Sequence, residues 1–265
     1  MLYFVATPIG NLKDITLRAL EVLKSVDAIY CEDTRHSLAL FNHYDIKKPL
    51  FSYHKFNEQK KCEEIIDKLS NGQSVAVVSD AGMPCISDPG SVLINKLIEK
   101  GLGYTIIPGA SASLSALVLS GFDSSRFAFI GFLPEKQSER QALLEKYKQL
   151  DMTLIFYSAP HDVNKDLQSI YSVFGDRRVA TVKEITKIYE KVEIFNLKDM
   201  EEVNAKGEYV IIVGKSITSP NEGLTDKELI DKYVSEGLDK KEALKKVAKE
   251  RKIPKSELYK LTIND

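Results

Sequence analysis

Two α/β domains followed by a small helical module are what this sequence predicts. Three observations carry that expectation. In the first half, short apolar runs rich in β-branched residues alternate with helical patterns, as in a parallel sheet wrapped by helices. Beyond Phe122 the alternation continues, with more strand than before. After Gly223 the chain turns to short, lysine-rich helical patterns. These shifts place domains at 1–122, 123–219 and 220–265.

Leu2–Ala6 reads as a first short strand and Thr16–Lys24 as a helix with Leu17, Leu20 and Leu23 or Val22 on one face. Ala28–Cys31 is the next strand, and Glu58–Asn71 a helix with Ile65, Ile66 and Leu69 inward, ended by Gly72. Val75–Val78 is an uninterrupted apolar run that suits a buried parallel strand. A helix over Ser91–Lys100, a strand over Tyr104–Ile107 and a helix from the small residues after Gly109 to Gly121 complete the first domain. The second opens with a strand in Phe127–Pro134 and a helix over Ser138–Leu150. Strands at Thr153–Tyr157, Arg178–Val182, Lys191–Phe195 and Tyr209–Val213 follow, with helices over Asp162–Phe174 and Lys198–Asn204, which predicts a mixed sheet.

Ser216–Gly223 is a turn-rich linker by composition. In the tail, Thr225 is placed to cap one helix that Gly237 ends, Asp239 a second, and Pro254 to open a third, PKSELYKL. Lys240–Lys260 holds nine Lys or Arg against three Glu. That excess fits either a solvated helical cap or a helix-turn-helix-like module touching nucleic-acid phosphates.

The whole chain of 265 residues is 43% hydrophobic and 28% charged, ordinary for a globular protein, with a formal net charge of −1. Any nucleic-acid contact must therefore come from local patches. No apolar run of about 18 residues occurs, so no membrane span is expected, and MLYFVATPIG lacks the features of a signal peptide. Cys31, Cys62 and Cys85 show no metal-ligand spacing; they read as small buried apolar side chains in a reducing, cytoplasmic setting.

Four loops stand at expected strand ends, where ligands of open α/β sheets gather. ATPIGNLKDIT supplies Thr7, Gly10, Asn11 and Asp14, with Asp14 or Thr16 also placed to cap the next helix. CEDTRHS holds Glu32, Asp33 and Arg35 in a polar run, with Ser37 available as a cap; an Arg beside two carboxylates also suits a structural ion pair. SDAGMPCISDPG follows the Val75 strand and lacks the Lys and Ser/Thr of a phosphate loop. Its Asp88, before Pro89, reads as a helix N-cap. Asp80 has no capping task, so its carboxylate is free to accept hydrogen bonds from a ligand hydroxyl or amine. In PGASAS, small side chains leave backbone N–H groups at a helix start open to a ligand.

With NEQKK, GFLP, KEITK, GEYVIIV and the KSELYKL tail, these loops resemble the tetrapyrrole methylase (class III) fold of S-adenosylmethionine-dependent methyltransferases. Within that fold they are most similar to members that methylate a cytidine 2′-hydroxyl in small-subunit (16S) ribosomal RNA. The resemblance runs nearly end to end and implies a bilobal, homodimeric enzyme with S-adenosylmethionine folded in a cleft between the α/β domains. The cofactor positions it implies are Pro8, Asp80, Gly82, Met83, Ser111, Ala112, Tyr157, Glu208 and Tyr209. The chain departs from the family pattern at Met83, where Thr is usual, and in FYSAPHD, where Ser158 replaces a Glu and Asp162 an Arg.

A ribose hydroxyl needs to lose its proton to attack, so a positioned base is expected. Glu32, Asp33 and Glu184 are candidates, with Arg35, Lys183 and Lys187 able to stabilise a developing alkoxide or a flanking phosphate. Two other readings stay open: a methylase acting on a tetrapyrrole, since the fold serves both chemistries, and a non-catalytic, cofactor-sensing nucleic-acid-binding protein.

Overall fold

The computed structural model describes residues 1–215, 224–251, 253–254 and 257–258, and the chain divides into two compact units, Met1–Lys215 and Ser216–Asp265. The first unit is built on two sheets. Strands β1 (Leu2–Val5), β2 (Ala28–Cys31), β3 (Leu50–Ser52), β4 (Val75–Val78) and β5 (Tyr104–Ile107) form one, in the order β3-β2-β4-β1-β5, every neighbour parallel. Its central strands are apolar on both faces because helices cover both. Helices α1 (Leu17–Ser25) and α2 (Thr34–His43) pack over Val5, Ile29 and Val78; α3 (Glu58–Ser70) and α4 (Ser91–Glu99) pack over Leu2, Phe4, Tyr30 and Val77.

Helix α1 is capped by Thr16, whose side chain accepts from Ala19 N–H at 3.1 Å, and turns Ala19 and Leu23 inward. Leu17, expected on that face, is 80% exposed. The buried stripe runs through Ala19 and Leu23, and Leu17 falls on another side of the helix. CEDTRHS is loop only as far as Asp33. Helix α2 starts at Thr34 and is capped by Asp33, so Ser37 is a buried helical residue rather than a cap. The edge strand β3, three residues long, shows no alternation in the sequence and was not expected from it.

Strands β6 (Phe127–Phe132), β7 (Thr153–Ser158), β8 (Arg178–Lys183), β9 (Lys191–Asn196) and β10 (Tyr209–Val213) form the second sheet, ordered β6-β7-β10-β8-β9. Only β6 and β7 pair in parallel within it, so the sheet is mixed. Helix α5 (Ala112–Ser120) follows β5 in sequence but buries Ala116 and Leu117 against Ile155, Ala180, Val210 and Ile212 of this second sheet. Helices α6 (Gln137–Tyr147) and α7 (Val163–Phe174) cover the opposite face, over Leu154, Phe156, Ile211 and Val213.

A helix expected over Lys198–Asn204 is absent: one 3-10 turn, Leu197–Asp199, is followed by extended chain. The reason is tertiary. Asn164 Nδ2 donates to Val203 O at 2.9 Å and Asn164 Oδ1 accepts from Val203 N–H at 2.8 Å, so the side chain acts as a strand partner would. Two bonds to an otherwise weak helix former outweigh local propensity.

Under α6 and α7 lies an ion pair sealed from water. Arg140 is 1% and Asp166 3% exposed; the guanidinium binds the carboxylate and donates from Nε to Pro134 O at 3.0 Å. The second carboxylate oxygen accepts from Ser158 Oγ at 2.6 Å. Ser158 thus has a structural role, linking the end of β7 to two helices.

The second unit holds α8 (Asp226–Ser235) and α9 (Lys240–Arg251). Thr225 and Glu228 form a reciprocal capping box on α8, and Asp239 Oδ1 accepts from the N–H groups of Lys241 and Glu242 at the start of α9. Leu229, Ile230, Tyr233, Leu244, Val247 and Leu258 make its core, leaving Lys240, Lys241, Lys245 and Lys249 exposed. The expected linker Ser216–Gly223 and most of the expected third helix (255–256 and 259–261) lie outside the described residues.

Candidate active site

In a parallel sheet the carboxyl ends of all strands lie on one edge, and the loops after β1, β4 and β5 meet there. Register places Tyr209, the first residue of β10, beside Ser158 and Lys183, the last residues of β7 and β8. The two sets of ends face each other across a cleft of about 770 Å3, within the range of small-ligand sites.

One wall carries Ile9, the run Asp80–Met83, Ser87 and Asp88, then Pro108, Gly109 and Ser111–Leu114. The other carries Phe127, Phe129, Phe132, Tyr157, Ser158, Ile185 and Glu208–Val210. Phe129 and Phe132 meet the Tyr157 ring edge-on at 4.8 and 5.5 Å between centroids. The first wall is fixed by backbone bonds: Thr7 N–H donates to Gly82 O and Gly82 N–H to Thr7 O, both at 3.0 Å. Gly109 lets the PGASAS loop approach β1, where a Cβ would stand 2.9 Å from the Cβ of Ala6.

Asp88 is not a helix cap. Gly90 takes the N-cap position of α4 at φ 145°, with no side-chain cap bond, and a Cβ there would strike Cys85 Sγ at 2.2 Å. Pro89 and Gly90 move the helix start two residues on, Glu58 Oε1 accepts from Gly90 N–H at 2.9 Å, and Asp88 is left lining the cleft. Burial, then the charges of Glu32 and Asp80, pushes its carboxyl up to about 6. Burial and Asp80 likewise raise Glu32, with His54 opposing. Asp80 is oriented by the Asp33 N–H, which donates to its Oδ1 at 3.1 Å.

Eight of the nine expected cofactor positions line this cleft: Asp80, Gly82, Met83, Ser111, Ala112, Tyr157, Glu208 and Tyr209. Pro8 is buried next to the lining residue Ile9. The six expected catalytic residues are not among the lining residues and fall into two places. Glu32 stands behind Asp80. Asp33 and Arg35 bind each other at 2.9 Å at the surface, and the Arg35 side chain and N–H hold the Asp33 carboxyl at about 2. On the other side, Lys187 Nζ bridges Glu184 Oε1 at 2.9 Å and Glu208 Oε2 at 2.8 Å. Burial works against ionising Glu184, but the Glu208 N–H and the Lys187 ammonium outweigh it and hold its carboxyl below the usual range. Lys183 turns toward a separate charged groove beside β9, its Nζ 5.7 Å from the Tyr209 ring centre. Sequence reading missed Asp88 and the three phenylalanines. A second carboxylate in one Gly/Pro-rich loop was a usable signal for the former.

Cysteines 31, 62 and 85 are free, and among the described residues no helix is long and apolar enough to cross a membrane.

Two α/β sheets meeting at their ends over such a cleft define a known class of fold. Diphthine synthase superimposes with a TM-score of 0.66 over 80% of this chain and 89% of its own, at 16% identity. The methyltransferase CobJ gives 0.63 over 81% and 94%, at 19% identity. Residues 1–201 match the family described as Tetrapyrrole (Corrin/Porphyrin) Methylases, and the chain belongs to that family. By family it is a methyltransferase. Proteins named Ribosomal RNA small subunit methyltransferase I are similar nearly end to end. That of Halalkalibacterium halodurans is 41% identical, covering 97% of this chain and 93% of the relative. The Haemophilus influenzae protein is 42% identical, covering 98% and 95%.

Proposed function

We propose that this chain transfers the methyl group of S-adenosylmethionine to the 2′-hydroxyl of a cytidine in small-subunit (16S) ribosomal RNA. The observation that carries the reading is the end-to-end similarity to relatives named for that ribosomal RNA, the basic tail included. The cleft suits the cofactor by its chemistry. S-Adenosylmethionine supplies an activated methyl on a sulfonium, a cation that also bears an ammonium. Asp80 and Asp88 offer it negative charge, the aromatic wall offers an apolar face, and Ser111 and Ala112 offer small side chains at the start of α5.

The chain's own work is then to orient the ribose oxygen and take its proton. Among the three carboxylates nominated from sequence, Glu32 is the one with raised proton affinity. Asp33 is engaged as a helix cap and Glu184 braces a turn. Glu32 is therefore the base in this reading; Lys183, turned into the groove with Glu193, Asp199, Glu201 and Glu202, is left out of it. Exposed lysines of α9 are the groups offered to the phosphates of the RNA. Exposed Val118 and Leu119 on α5 fit the apolar contact of a homodimer, and an enzyme acting on the ribosome works in the cytoplasm.

Purified protein, labelled cofactor and unmethylated small ribosomal subunits test this directly. Label is expected in the RNA, with affinity for the subunit falling as salt rises. Transfer to a tetrapyrrole acceptor instead, or to none, would overturn it.

Asp88 gives the cofactor step a pH dependence. A cation binds best beside an ionised carboxylate, so affinity should climb between pH 5 and 7, through the value of about 6 at which Asp88 titrates, and level off above. Without ligand the sign reverses for stability. The native state holds this proton more tightly than the unfolded chain, so stability falls as pH rises from 3.8 to about 6. Calorimetry across that range should show the climb, and Asp88→Asn should flatten it; a flat wild-type profile would remove Asp88 from the cofactor site.

A further inference from the structure

We infer that Glu58, the first residue of α3, is a positioning residue for the cofactor: its carboxylate latches the loop SDAGMPCISDPG in the conformation that sets Met83, Ser87 and Asp88 on the cleft wall. The inference rests on the cofactor reading above. Oε1 of Glu58 accepts two bonds, from Gly90 N–H at 2.9 Å and from the Tyr53 hydroxyl at 2.8 Å. Gly90 stands where the loop enters α4, and Tyr53, 1% exposed, directly follows β3. One oxygen thus ties the loop to the start of one helix and the end of an edge strand. The same hydroxyl meets Cys62 Sγ at 3.9 Å, one turn along α3, so it is fixed from two sides.

The loop needs such a hold. Cys85 and Ser87 sit at φ 67° and 66°, conformations that non-glycine residues keep only when their surroundings impose them. At its near end the loop is pinned by the paired backbone bonds between Thr7 and Gly82. At its far end the buried Gly90 N–H needs an acceptor, and no side-chain cap on α4 supplies one. Glu58 supplies it from another helix. Between the two anchors lie Met83, Ile86, Ser87 and Asp88, all on the cleft wall. With the far anchor gone, the strained residues relax and only a fraction of molecules present the competent loop. Cofactor affinity then falls by that fraction.

What the latch requires is an acceptor at that reach, not a negative charge. Both bonds fall on Oε1, so an amide oxygen on a side chain of the same length serves as well. A carboxylate one methylene shorter does not reach Gly90. A role confined to starting α3 would rank the same substitutions the other way, because aspartate suits the first turn of a helix as glutamate does and a neutral amide suits it less.

The test is calorimetric titration of wild type, Glu58→Gln and Glu58→Asp with S-adenosylmethionine, with amide hydrogen exchange measured alongside. Glu58→Asp is expected to weaken binding about 10-fold or more and to speed exchange between Met83 and Gly90, while β1 and β4 stay protected. Glu58→Gln, whose neutral oxygen is a weaker acceptor, should stay within about threefold of wild type. Equal affinity in wild type and Glu58→Asp would overturn this inference alone. So would a loss in Glu58→Gln as large as in Glu58→Asp, which would assign the effect to charge. Protection lost across the whole sheet in Glu58→Asp would assign Glu58 to the stability of the fold and also overturn it. No binding by wild type would remove the cofactor reading, and this one with it.

Discussion

Replacing Glu32 by glutamine is expected to lower kcat by about 10²–10⁴-fold, the usual contribution of a positioned general base, with cofactor affinity nearly unchanged. The expectation follows from how differently the candidate carboxylates are used. Asp33 spends its oxygens on the first N–H groups of α2 and on Arg35, which keeps it ionised and too weak a base for the purpose. Glu184 is tied to Lys187 and the Glu208 N–H. Glu32 is half-buried beside Asp80, and burial together with that neighbouring charge raises its affinity for a proton. A base of that kind is stronger at neutral pH than a solvated carboxylate. Glutamine keeps the shape and removes the acceptor of the proton. An unchanged kcat would exclude Glu32 as the base; a loss matched by an equal loss of cofactor affinity would make it part of the cofactor's electrostatic frame instead.

The largest effect on stability is expected at Asp166. Asp166→Ala should cost about 3–5 kcal/mol, the toll of leaving a buried charge without its partner. Arg140 is sealed under α6 and α7 and would keep only its bond to Pro134 O. Ser158 would keep only its long bond to Ala159 O, at 3.5 Å. Burial pushes the Asp166 carboxyl up while Ser158 and Arg140 pull it down, so the pair is held together by its own hydrogen bonds rather than by solvent. Urea denaturation reads the change as a shift in midpoint at constant slope. A cost below about 1 kcal/mol would mean that the guanidinium reaches water, contrary to the packing seen around it. Because Ser158 lines the cleft, the same network stiffens one wall of the site.

Much of this architecture was legible because buried parallel strands advertise themselves. Runs such as VAVV and AIYC have no polar face to hide, and both fall on observed strands. The capping signals at Thr16, Thr225 and Asp239 were equally local, and so readable. What failed depended on distant parts of the chain. Extended chain replaces a helix near Val203 because Asn164 reaches it from α7. Strand β3 exists because β2 offers a free edge, not because LFS is a strong strand former.

The site divides in the same way. The reading of strand-end loops singled out Asp80, Gly82 and the segment PGASAS, and these line the cleft. Asp88 was assigned to a cap since Asp-Pro before a helix fits one, and only the close packing of Gly90 on Cys85 shows the helix starting later. The aromatic wall of Phe127, Phe129 and Phe132 could not be read at all, because nothing in GFLP or its flanks tells which loop stands opposite.

The measurement that tests the central proposal most directly is the position of the transferred methyl group. Unmethylated small subunits are incubated with the protein and labelled S-adenosylmethionine, and the RNA is mapped by ribose-methylation-sensitive primer extension. A single stop at one cytidine ribose is the result expected. Label on a base, on protein or on a tetrapyrrole, with the RNA riboses unmodified, would contradict it.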